Sequence, residues 1–124
     1  MSMLKINEEQ MDVLDALSMK LYAVNIKKRL VSIFPEVKRN SEYSSFSIEN
    51  KLYFLREYGI NTELLAFKFF VLSIKYAKDL LKYNKTCSIL QEDELRGVMK
   101  INKIESMLRI ESNTIYKRQN SGRK

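Results

Sequence analysis

A chain of 124 residues with 45% hydrophobic positions has the size of one ordinary domain and can bury a core without covalent staples. One Pro and three Gly are too few breakers for the many tight turns of an all-β fold, and the single Cys87 excludes an intrachain disulfide. The net charge is +7, but Lys117, Arg118, Arg123 and Lys124 place more than half of the excess in the last eight residues. A composition rich in Lys, Ile, Asn and Tyr also arises from an AT-rich genome, so the charge alone does not imply an acidic ligand.

The first helix is expected to start near Asn7. Asn7-Glu8-Glu9-Gln10 reads as a capping box, and Glu8, Glu9 and Asp12 favour the positive end of the helix dipole. Apolar residues then recur at helical spacing through Leu17, Leu21, Val24, Leu30, Ile33 and Phe34, and Pro35 stops the helix. Residues 35–46 form a polar surface connector. A short second helix follows, with Ser45 or Ser47 as its N-cap and Ile48, Leu52, Tyr53, Leu55 and Tyr58 at its apolar positions. Gly59 ends it in the left-handed position, with Ile60 as the hydrophobic partner of a Schellman motif. Asn61-Thr62-Glu63 restarts the chain into a third helix of about 62–83, whose first half is apolar nearly all round. A connector at Tyr83 to Ser88 follows, with a second capping box at Ser88-Ile89-Leu90-Gln91. The stripe Leu95, Val98, Ile101, Ile104 and Leu108 marks a last helix of about 91–111, weakened by Gly97 by roughly 1 kcal/mol relative to Ala.

These elements predict an all-α fold, a compact bundle or array of four main helices with the third at its centre. Residues 1–116 form a single domain and 117–124 a basic flexible tail. No stretch reaches the roughly 20 uncharged apolar residues of a membrane-spanning helix. The nearest, Leu64 to Leu81, is broken by Lys68, Lys75, Lys78 and Asp79. The opening residues lack the apolar core of a signal peptide, so the expected location is the cytoplasm.

The absence of histidine removes the commonest general base and metal ligand. Cys87 has no His to activate it, and the scattered glycines build no phosphate loop. The carboxylate clusters Glu8-Glu9 and Glu92-Asp93-Glu94 fall at expected helix starts, where the dipole accounts for them. No catalytic residue, metal site or cofactor is therefore expected, and the chain should act by binding. Loops on a rigid scaffold and exposed aromatics commonly carry recognition. The candidate interface is accordingly Val37, Lys38, Arg39, Tyr43, Phe46, Tyr53, Tyr76 and Tyr83. The alternative is a small basic nucleic-acid-binding or regulatory protein. It rests on Lys68, Lys75, Lys78 and Lys82, which would share one face of the third helix, against the simpler reading of a solvated outer face.

Two stretches carry a resemblance. Leu4-Lys5-Ile6-Asn7-Glu8-Glu9-Gln10-Met11 leads into a helix that closes on Ile33-Phe34-Pro35-Glu36, and Leu55-Arg56-Glu57-Tyr58-Gly59-Ile60-Asn61-Thr62-Glu63 leads into an apolar helix. Over about residues 4–81 the chain resembles small helical proteins encoded beside type VI secretion spike and toxin genes in Gram-negative bacteria. It lacks the Gly- and Asp-rich segment that many of them carry after the third helix. The resemblance implies an accessory protein for a secreted effector, either an adaptor or chaperone that loads it or an immunity protein that neutralises it. It brings no catalytic residues.

Overall fold

The computed structural model describes residues 18–121, with side chains over 18–114. All regular elements among them are helical: α1 (Met19–Ile33), α2 (Ser45–Glu57), α3 (Glu63–Lys75), α4 (Asn84–Leu90) and α5 (Gly97–Ser121). Two 3-10 turns, Pro35–Arg39 and Ser41–Tyr43, join α1 to α2. The all-α class is as the sequence implies, but the described residues hold five α-helices where four were expected. The capping box at Asn7 and the cluster Glu8-Glu9 lie outside the described residues. The backbone of α5 stays helical to Ser121, into the stretch read as a tail.

In α1 the core side chains are Met19, Tyr22, Ala23, Ile26 and Leu30, a single stripe at helical spacing. Of the expected stripe, Leu30 is in the core and Phe34 packs against it. Leu21, Val24 and Ile33 point outward, with Leu21 60% exposed. The helix carries more apolar positions than one face can bury. Pro35 ends it as anticipated, and occupies the first position of a 3-10 turn, where its missing N–H costs nothing. Val37 is buried at 3% exposure and pins the connector to the core. The Asn40 side chain accepts from the Glu42 amide at 3.0 Å and shapes the second turn. The N-cap of α2 is Ser44, one residue ahead of the nearer candidate, and its hydroxyl accepts from the Ser47 amide at 3.1 Å.

Gly59 closes α2 as predicted. Its φ is 87°, the Gly59 amide donates to the Arg56 carbonyl, and the Ile60 amide donates to Leu55. This is the hydrogen-bond pair of a Schellman motif, and Ile60 is fully buried. Thr62 then caps α3 by accepting from the Leu65 amide at 3.2 Å. The third helix stops at Lys75, about two turns before the sequence pattern ends. Ala77 adopts a φ of 51°, its amide donates to Ile74, and the Lys78 amide donates to Ser73. The same motif therefore recurs with alanine where glycine is usual. Buried Ser73 secures it, donating to the Lys78 carbonyl at 2.6 Å and accepting from the Leu80 amide at 3.4 Å. Ser88, expected to cap the last helix, lies within α4, and α5 begins only at Gly97.

The most extensive pairing is α1 with α2; α3 packs on both α1 and α5, and α4 packs on α5. Phe69 and Phe70 of α3 are fully buried and meet edge to face at 6.2 Å. Each contributes roughly 1.5–3 kcal/mol by leaving water. Arg29 of α1 lies over the Phe67 ring at 5.5 Å, a contact worth about 0.5–1 kcal/mol at a partly exposed site.

The ends of α2 and α4 meet the start of α5. A Cβ placed on Gly97 would stand 2.1 Å from the Gly59 carbonyl oxygen and 3.2 Å from Leu65 Cδ1. Lys100, one turn further on, is 3% exposed, and its ammonium donates to the carbonyls of Tyr58 and Leu90, each at 2.6 Å. These are terminal carbonyls of α2 and α4, where the helix dipoles favour a cation.

Two substitutions should run against helix propensity. Gly97→Ala is expected to destabilise the fold by about 2–3 kcal/mol, because the new methyl overlaps a backbone carbonyl. Ala77→Gly is expected to stabilise it by about 0.5–1 kcal/mol, by relieving a left-handed residue. Urea unfolding midpoints of the two variants check both signs.

Candidate functional site

The connector and the end of α3 enclose a polar cleft of about 310 Å³. Glu36, Glu42 and Asp79 line it together with Lys51 and Lys78, so its charges nearly cancel. Tyr43 forms one wall. Its ring meets Phe70 edge-on at 6.5 Å, and Lys51 Nζ lies 5.3 Å from its centroid while donating to the Glu42 carbonyl. Burial pushes the Tyr43 phenol above its ordinary value, and the charges of Glu42 and Asp79 add to this against an opposing hydrogen bond with Ser73. The phenol thus stays protonated at neutral pH. Ser73 is already committed to two backbone groups. The cleft offers hydrogen-bonding groups and neither imidazole nor thiol.

The lysine row does not survive as one helical face. Lys68 and Lys75 lie on α3, but Lys78 and Lys82 fall beyond its end. Lys75 Nζ sits 5.6 Å over Tyr76, and Lys78 Nζ sits 4.6 Å over Tyr83 while also lining the cleft. Lys82 faces Asp79 at 3.8 Å in an exposed pair, worth little in water.

Of the residues expected at an interface, Val37 is buried, and Tyr43, Tyr76 and Tyr83 are half-buried with one side against the core. The Tyr83 hydroxyl donates to the Glu111 carboxylate, which Lys85 approaches at 3.5 Å. That hydrogen bond draws the Glu111 carboxyl below its ordinary value, helped by Lys85 and Lys78 against partial desolvation, and it raises the Tyr83 phenol. Cys87 is half-buried and donates to the Leu81 carbonyl at 3.2 Å. Glu92 bridges to Lys103 at 2.7 Å from the turn before α5, so its place is an ion pair and not the first turn of a helix starting at residue 91.

The remaining candidates gather elsewhere. Phe46, in the first turn of α2, is 74% exposed, and Tyr53 follows seven residues on along the same face. Beside Phe46, Ser45 and Lys38 form one side of a groove of about 400 Å³ whose other side is Val24, Lys27, Lys28 and Val31 of α1. Leu21 stands one turn before Val24 and extends the apolar strip. Exposed Arg39 follows Lys38. Of this surface the sequence reading named Lys38, Arg39 and Phe46 and missed the α1 side. The signal was present: α1 has apolar residues on two faces, four cations (Lys20, Lys27, Lys28 and Arg29) and no acid.

Among the described residues no group of His, Cys, Asp or Glu is placed to hold a metal ion, and no helix is long and apolar enough to cross a membrane. No protein family, curated protein or solved structure matches this chain.

The Tyr83–Glu111 contact sets a pH dependence. A carboxyl drawn down on folding stabilises the fold above its unfolded value, and that contribution is lost as the pH falls through the folded value. Urea titrations between about pH 6 and pH 3 should therefore show a smaller acid loss of stability in Tyr83→Phe than in the parent protein.

Proposed function

We propose that the protein is a non-enzymatic binding module for another protein, and that its partner is a secreted bacterial effector or toxin. In this reading it acts in the cytoplasm as the adaptor, chaperone or immunity protein of a type VI secretion locus. The observation that carries the binding role is an apolar groove lined by Val24 and Val31 and bordered by Lys27, Lys28 and Lys38, with exposed Leu21 one turn before Val24 and exposed Phe46 next to Ser45 in the chain. A clustered apolar centre with a charged rim is the anatomy of a protein interface. The effector class rests on the resemblance of residues 4–81. The nucleic-acid reading loses support because its lysine row is split by the end of α3 at Lys75.

Co-expression with the products of neighbouring genes tests the proposal. A stable complex with an effector is expected, and it should persist from about 50 to 200 mM salt, a range over which a nucleic-acid complex loses orders of magnitude in affinity. Phe46→Asp should weaken it at least about tenfold, because the change puts a charge into an apolar interface core, and should leave the melting temperature in place. Capture of nucleic acid that dissociates across the same salt range would overturn the proposal.

A further inference from the structure

We propose that the groove between α1 and the connector seats an acidic amphipathic helix of the partner protein. The inference rests on the binding role above and names the element that docks. Val24 and Val31 lie two turns apart, about 10 Å along the helix axis, and Leu21 adds a third apolar position at one end. A helix laid along such a strip presents anchors at i, i+3 or i+4, and i+7. Both rims are basic, with Lys27 and Lys28 on the α1 side and Lys38 opposite. Among the described residues no acid lies on α1 or lines the groove, so a docked cationic or neutral helix brings these lysines no carboxylate. Carboxylates flanking the apolar anchors would meet them on both sides.

The other occupants fit less well. Among the described residues the lining contains no aromatic ring on which a base could stack, and a phosphate backbone would lie against valines. A lipid surface is flat, whereas this strip is walled by Lys38 and Ser45. A second copy would bring +7 against +7.

The probe is a fluorescent peptide of about 15 residues, with Leu at the anchor spacing and Glu at the flanking positions. Fluorescence anisotropy with the full chain should show saturable binding, and amide shift mapping should place it on Val24, Val31 and Ser45. Lys28→Glu combined with Lys38→Glu should weaken it at least about tenfold. Val24→Asp should abolish it, with the melting temperature unchanged for both variants. The proposal fails if a Lys-for-Glu version of the peptide binds equally well, or if the amide shifts map elsewhere. It also fails if a mixed-sequence DNA duplex or phosphatidylserine vesicles bind the groove in place of the peptide. A fall in the melting temperature of the double charge reversal would show that these lysines serve the fold itself, and so overturn it as well. A complex with an effector that forms while the peptide fails removes only the acidic helix; loss of both removes the binding role too.

Discussion

At the junction of α2, α4 and α5 the backbones approach so closely that the Gly59 carbonyl occupies the space a side chain at Gly97 would need. This contact fixes how the two halves of the chain meet. It requires glycine twice, once for the left-handed turn after α2 and once for the room beside it. The Lys100 ammonium then bonds terminal carbonyls of α2 and α4. Burying a cation is costly, but both carbonyls lie at the negative ends of helix dipoles, and leaving them without a donor would cost about 1–3 kcal/mol each. The positions of α3 and α4 follow, since α3 starts four residues after Gly59 and the Leu90 carbonyl at the end of α4 accepts from Lys100.

The exposed surface is a by-product of the same economy. One face of α1 supplies the core with Met19, Tyr22, Ala23, Ile26 and Leu30. Because α2 and α3 cover that face, the second apolar strip is bordered along the groove by Lys38 of the 3-10 turn and Ser45 of α2. Val37 and Lys38 divide the work, one entering the core and the other bordering the groove. The connector is therefore structural on its inner side and open to a partner on its outer side.

Legibility followed the residues that have one conformational use. Gly59 followed by Ile60 announces a Schellman turn and Pro35 a stop, and each stands where the sequence put it. Ala77 announces nothing, because alanine is the best helix former and its left-handed φ is imposed by Ser73 and the buried Leu80. The overlong third helix, and with it the single face of lysines, came from that silence. In α1 the periodicity was correct and Leu30 was placed inside, but the phase failed in the first half of the helix. Spacing alone does not say which of two apolar strips turns inward when Met19 and Tyr22 compete with Leu21 and Val24. Gly97 looked like a flaw in a helix because its reason lies 38 positions away in sequence, at Gly59.

The enclosure of Lys100 also makes it an internal reporter. Most of the described lysines are exposed and would be acylated readily by an amine-directed reagent, whereas Lys100 is buried and its amine is held by two carbonyl partners. Its acylation therefore requires the junction to open, so the extent of modification at this one position counts openings directly, one molecule at a time.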